Sequence, residues 1–316
     1  MFQYNALTGE TVLEHGINAE VLHGRDIVDG PVVDSFFLDT EDSKMVVLLD
    51  EFLQVRLFPD TEENQVKFAK LADRLHIPIL SQHSHSHSHS PYPIAHASLA
   101  GHQVAMNPAL DNVHVAYPTW TFSLPPEEYI QTAITPSRGP VASLGKVLGN
   151  RTTLYKYLNP RLIVVLTATH SVSPARCGLY VVDTVKGSTV YHVELPAADG
   201  VCNVKTTLTE NWLVYHYYDP EAATGQAKGH RVVSVEFYEG KQVDEKTRRW
   251  VILCLCAVKS SMFLDSSELS SFSDKILDLT AYEQAYLLPG GITALATTST
   301  KYGISGKDLI GKLNLC

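Results

Sequence analysis

No stretch of the 316-residue sequence reaches the roughly 18–20 consecutive apolar residues that a membrane helix requires. The most apolar run, Trp250 to Val258, is about half that length and is closed by Lys259. Positive charge is also scarce: 25 Lys and Arg stand against 34 Asp and Glu, a formal net charge of −9. A nucleic-acid surface needs a basic stripe to displace counterions, so that class is excluded. The densest basic run, Lys246-Thr247-Arg248-Arg249, reads as a solvated loop. Cysteine is sparse and odd in number: Cys177, Cys202, Cys254, Cys256 and Cys316. That count, without metal-ligand spacing, supplies no disulfide framework and no zinc site. Cys177 and Cys202 can pair in an oxidising compartment, but the favoured reading is two buried strand thiols.

Motifs that carry chemistry are missing as well. There is no Gly-x-Ser-x-Gly elbow, no phosphate loop and no His-Glu-x-x-His. Pro136-Ser137-Arg138-Gly139-Pro140 reads as a turn, which removes Ser137 as a nucleophile and leaves Arg138 as a solvated turn residue. The expectation is no catalytic residue, no cofactor and no metal. The N-terminus, Met1-Phe2-Gln3-Tyr4-Asn5, lacks the basic and apolar segments of a secretory signal. Taken literally, the chain reads as soluble and cytosolic.

What is present is a rhythm of short β runs and polar turns. A hydrophobic fraction of 45% suits a folded core. Val32-Val33, Ser35 to Leu38, Met45 to Leu49 and Leu53 to Phe58 read as successive strands. The last alternates apolar and polar residues, as a half-buried strand does. Leu162 to Leu166 is a continuous, β-branched apolar run, followed by Leu179 to Val182, Thr189 to Leu195, Val204 to Leu208, Trp212 to Tyr218 and Val232 to Tyr238. Short strands at roughly 8–12-residue spacing point to a sandwich, barrel or propeller.

An internal repeat favours the propeller. Tyr4-Asn5-Ala6-Leu7-Thr8-Gly9 lines up with Val182-Asp183-Thr184-Val185-Lys186-Gly187. In each, an Asn or Asp can cap the turn and a Gly supplies the positive φ of a tight hairpin, as in blades of quinoprotein or WD40 type. Two segments break the β pattern. Thr61 to Leu75 sets Phe68, Leu71, Ala72 and Leu75 on one helical face, with Glu62 and Glu63 in the first turn after Pro59-Asp60. Ser81 to Ser90 is a Ser/His repeat. Its His83, His85, His87 and His89 can bind a metal incidentally, but ligands without fixed partners make no functional site, so it reads as a surface loop. The fold expected is mainly β: a partial β-propeller with one short amphipathic helix. Expected divisions are blade strands over residues 1–60, helix and Ser/His loop over 61–93, and a C-terminal β domain over 94–316.

Asn150-Arg151-Thr152 is an N-glycosylation sequon, meaningful only in a secretory compartment. Asn150 is therefore a candidate glycosylation site.

Five collinear blocks carry a more specific resemblance. Ala142 to Pro160 contains Leu154-Tyr155-Lys156-Tyr157-Leu158-Asn159-Pro160 and leads into the apolar Leu162-Ile163-Val164-Val165. The others are Glu210 to Tyr217, Val235 to Gly240, Gln284 to Pro289 and Lys301 to Ile310. Together they resemble the region near the C-terminus of the subunit 1 family of the endoplasmic reticulum (ER) membrane protein complex. Before about residue 94 only the β rhythm is similar. The resemblance implies a membrane-anchored parent whose lumenal part is built of β-propellers. It implies a non-enzymatic scaffold on the lumenal side of the ER membrane, supporting insertion of tail-anchored and multipass membrane proteins, with the complex's other subunits as partners. The alternative from another class is a quinoprotein-like β-propeller enzyme, and a third reading is a His-rich metal buffer.

Three departures from that pattern stand out. The chain starts within a blade hairpin, Arg249 to Asp265 has no counterpart, and Gly311 to Cys316 replaces a further strand. Gly311-Lys312 can be encoded by a splice-donor hexamer, so the last two departures read as translated introns.

Overall fold

A computed structural model describes residues 31–40, 43–83, 96–110, 112–136, 139–169, 175–198, 201–220, 228–240, 279–304 and 306–314. The chain divides into two compact units. One takes the residues up to Ile79 together with Gly101–Thr119, and the other takes Leu80–Ala100 together with the residues from Trp120 onward.

The first unit contains an antiparallel meander of β1 (Val32–Thr40), β2 (Ser43–Asp50) and β3 (Val55–Phe58). Its α-helix α1 (Glu62–Ala72) starts where expected: Thr61 is the N-cap, and its Oγ1 accepts from the Asn64 amide at 3.2 Å. That bond satisfies one of the donors a helix start leaves open. The helix stops three residues short of the expected end. Phe68 and Ala72 are buried against Met45, Val47, Leu49 and Leu57, so the amphipathic face packs onto the meander. Three strands follow, β4 (His76–His83), β5 (His96–Asn107) and β6 (Val113–Phe122), in the order β4-β5-β6. The sequence reading passed over them. Pro78, Gly101 and Pro118 interrupt their apolar patterns, and Pro118 is accommodated because β6 lies at the edge of its sheet.

The second unit carries two four-stranded meanders. One is formed by β7 (Glu128–Ile134), β10 (Leu162–Thr169), β11 (Arg176–Asp183) and β12 (Thr189–Pro196), with the hairpin β8 (Gly145–Val147) and β9 (Thr153–Tyr155) inserted after β7. The other is formed by β13 (Lys205–Thr209), β14 (Trp212–Asp219), β15 (Gly229–Glu239) and β16 (Leu279–Leu288). A closing hairpin pairs β17 (Gly291–Thr297) with β18 (Leu309–Asn314). Gly311 to Asn314, expected to leave the family pattern, thus continue a paired strand. Arg249 to Asp265 and the repeat at Tyr4 to Gly9 lie outside the described residues.

The two meanders are blades stacked face to face. Along β10 the side chains alternate between two cores: Leu162, Val164 and Leu166 enter one, Ile163 and Val165 the other. β11 repeats this, with Cys177, Leu179 and Val181 on one side and Tyr180 and Val182 on the other. In β14, Leu213 and Tyr215 join the shared core while Trp212 and Val214 face the β17 side. A sheet covered on both faces needs apolar residues at every position, which is why Leu162 to Leu166 reads as an unbroken run. Each fully buried Val or Leu contributes about 1.5–3 kcal/mol. The partial propeller anticipated from strand spacing is this arrangement.

Gly187 occupies the β11–β12 turn as the repeat suggested, at φ 68°. The Asp183 side chain accepts from the Val185 amide at 2.8 Å, and Gly187 N–H donates to Asp183 O at 2.8 Å. A Cβ there would also stand 2.6 Å from the Trp120 ring.

The cysteine reading needs correction. Cys177 and Cys202 are not free thiols but a disulfide, with Cα atoms 5.6 Å apart. Two buried thiols looked sufficient because the residues are 25 apart in sequence and no spacing motif marks them. The connector from β12 to β13 brings them together, tying one blade to the start of the next. Closing a loop of that length removes unfolded-chain entropy worth about 3 kcal/mol. Replacing both cysteines by alanine should therefore lower stability by about 3 kcal/mol, read as a fall in the denaturant midpoint of tryptophan fluorescence from the protein in non-reducing buffer.

Candidate functional site

The most concentrated set of buried polar groups in the second unit lies at the turns of the two blades. Its organising segment is Leu154 to Pro160, which runs from β9 into β10. Tyr157 N–H donates to Phe237 O at 3.0 Å, and Lys156 forms an isolated bridge with Tyr238, so the segment docks along the end of β15. Asn211 Nδ2 donates to the same Phe237 carbonyl at 2.8 Å, and Phe237 N–H donates to Asn211 O.

Two side chains of the segment reach in opposite directions. Asn159 Nδ2 donates to Asp183 Oδ2 at 2.8 Å and to the Tyr157 hydroxyl at 3.2 Å, engaging the β11–β12 turn. Lys156 Nζ donates to Glu210 Oε2 at 2.8 Å, engaging the β13–β14 turn. Both ends of that ion pair are buried, at 10% and 6% side-chain exposure. The second oxygen, Glu210 Oε1, accepts from the Ile304 amide at 3.1 Å and so holds the connection between β17 and β18. Glu210 has φ 52°, a left-handed conformation seldom taken by a residue with a side chain. Its bonds to Lys156 and Ile304 offset that strain. Beside it lies a cavity of about 140 Å³ lined by Pro140, Leu158, Pro160, Glu210, Gly303 and Ile304. Gly303 is at φ 109°, and a Cβ there would come within 2.5 Å of the Ala142 amide nitrogen.

A second ionic group borders this inter-blade latch of Lys156, Asn159, Glu210 and Asn211. Glu236 takes Lys307 at 2.6 Å and Lys146 at 3.7 Å, and accepts from the Tyr238 hydroxyl. Burial raises the Glu236 pKa, but the hydrogen bonds and the lysine charges outweigh it and hold the carboxyl below its usual value. Lys307 also lies 5.6 Å over the Trp212 ring. Trp212 is 2% exposed, and its Nε1 donates to Ser234 Oγ at 2.8 Å. Between β14 and β15, buried His216 stacks on His230 with ring centroids 5.3 Å apart and accepts from the Ile292 amide at 3.4 Å. Burial, then the neighbouring His230 and Lys205 charges, push His216 down to about 4.

Of the five blocks singled out in the sequence, four meet here: Ala142 to Pro160, Glu210 to Tyr217, Val235 to Gly240 and Lys301 to Ile310. Sequence reading picked out the blocks but not the pairing between them. Lys156 and Glu210 are 54 positions apart, and no local pattern announces such a contact. Asn150 sits elsewhere, exposed at the tip of the β8–β9 hairpin. Of the Ser/His repeat, only the backbone up to His83 is described, and Ser137 and Arg138 lie outside the described residues.

Comparison with known proteins agrees with this geometry. Residues 1–314 match the family described as ER membrane protein complex subunit 1, second beta-propeller. The match includes the region before residue 94, where the sequence blocks did not reach. The chain is 25% identical over 287 residues to the Xenopus laevis ER membrane protein complex subunit 1, covering 89% of this chain and 24% of that one. It is 32% identical over 199 residues to the Schizosaccharomyces pombe protein of the same name, covering 60% and 19% respectively. The Gallus gallus protein is 23% identical over 293 residues, covering 90% and 25%. The chain thus spans about a quarter or less of the length of these curated relatives.

Removing one member of a buried ion pair leaves the other charge unpaired, at a cost of about 3–5 kcal/mol. K156M and E210Q should each destabilise by that order, while the double variant recovers part of the loss; a double-mutant cycle in denaturant measures it. A separate expectation concerns pH. His216 is neutral in the fold and ordinary, near 6.5, when unfolded, so its contribution is complete above about pH 6.5 and is lost as pH falls from there towards 4. Between pH 7 and pH 5 stability should drop by about 2 kcal/mol, and H216Q should flatten that part of the stability–pH curve.

Proposed function

Because the chain belongs to the ER membrane protein complex subunit 1 family, we propose that it serves as a lumenal, non-enzymatic scaffold within that complex. The complex's other subunits are its partners, and its role is to support insertion of tail-anchored and multipass membrane proteins from a membrane-anchored parent. The observation that carries this reading is the latch. Lys156, Asn159, Glu210 and Asn211 come from the matched blocks, and their polar groups hold one blade to the next. A rigid stack of blades presents a surface of fixed shape, and preorganisation of that kind lowers the ordering cost of assembly. The Cys177–Cys202 disulfide supports the lumenal side, since such bonds persist in the oxidising ER and are rare in the cytosol. The divisions proposed with this reading are blade strands over 1–60, the helix and Ser/His loop over 61–93, and a C-terminal β domain over 94–316.

Charge reversal at the latch tests the scaffold role. In cells carrying the parent protein as K156E or E210K, the other subunits of the complex should co-purify poorly and a tail-anchored reporter should fall in abundance. The paired swap K156E/E210K should restore part of both. Normal assembly and reporter levels with a latch-broken, protease-sensitive parent would overturn the reading.

A further inference from the structure

We propose that Asn150 carries an N-linked glycan and that the β8–β9 tip consequently faces solvent in the assembled complex. This rests on the lumenal reading above. Asn150-Arg151-Thr152 is the sole Asn-x-Ser/Thr triplet, x not being proline, in the sequence. It occupies the five-residue connection beyond the Val147–Thr153 pair of the hairpin. The tip is built by backbone bonds from Leu148 N–H to Thr152 O at 2.8 Å and from Arg151 N–H to Leu148 O at 2.9 Å. Arg151 turns the chain at φ 68°, and Asn150 and Arg151 are both exposed.

The side-chain geometry within the triplet suits the transfer. Thr152 Oγ1 donates to Asn150 Oδ1 at 2.6 Å, and the Thr152 amide donates to the same oxygen at 3.1 Å. Two donors on one carboxamide oxygen draw electron density from the amide, so Nδ2 gives up a proton more readily. The donor required is an oligosaccharide linked to a lipid diphosphate. A bond forms from Nδ2 to the sugar C1 as the C1–O bond to phosphate breaks. The lipid diphosphate leaves with the electron pair of that bond, and the proton lost from Nδ2 passes, directly or through water, to that leaving diphosphate. No oxidant or reductant is involved. A branched glycan at this tip is incompatible with burial of the tip under a partner, so subunit contacts must use other faces of the blades.

The test uses the natural full-length protein in sealed microsomes from its own cells, with two independent readouts. Protease added outside reports the side of the membrane, and digestion by an N-glycosidase in heavy-oxygen water followed by peptide mass spectrometry reports Asn150. The expected result is protection, a mobility shift on deglycosylation, and the heavy-oxygen tag on Asn150. N150Q and T152A should each reduce that shift by one step relative to wild type while T152S keeps it whole. T152S against T152A, with the direct tag on the wild-type peptide, decides the matter even if N150Q does not accumulate. Protection with unmodified Asn150 would overturn the glycan and leave the lumenal reading intact. Digestion from outside would overturn both.

Discussion

A blade buried on both faces has no polar surface to orient it, and the structure of the second unit follows from that constraint. Hydrophobic burial is non-directional; it holds β10, β11, β14 and β15 together without fixing how far one sheet slides or turns against the next. Direction is supplied at the turns, where backbone groups must find partners anyway. The Lys156–Glu210 pair is the central such contact, because it joins the segment entering one blade to the hairpin of the next and, through Ile304, to the closing hairpin.

A buried ion pair is a costly way to gain stability, since removing two charges from water can cancel their attraction. Its use here is better understood as specificity. Glu210 satisfies an ammonium and a backbone amide with separate oxygens, which ties three segments together. At the neighbouring turn Asn159 Nδ2 donates to both Asp183 and Tyr157. The disulfide adds a covalent limit on the connector between the blades. Together these features restrain the blades from shifting against one another, so the surface they present keeps its shape.

Much of this was legible in the sequence. Strand positions between Leu162 and Tyr238 follow from β-branched runs and polar turns, and the Asp183 to Gly187 corner follows from side-chain capping and positive φ. Strands β4 to β6 were harder, because Pro78, Gly101 and Pro118 weaken the local pattern, and the two prolines are tolerable because β4 and β6 are the edge strands of the sheet. At the candidate site, the residue types were visible within the blocks but their partners were not. The disulfide was misjudged for the same reason: pairing between residues 25 apart is a fact of the connector's path.

The sequence by itself determined the local elements: alternation or continuity of apolar residues sets which strands are covered on one face or two, and Thr61 and Gly187 mark a helix start and a turn. It also determined the sequon at Asn150. Tertiary structure alone decided which charges meet, that Cys177 reaches Cys202, and that His216 sits neutral beside His230. The physical reason is range. Backbone sterics and burial act through neighbours in sequence, whereas ion pairs, disulfides and desolvation depend on distances that exist only once the blades have stacked.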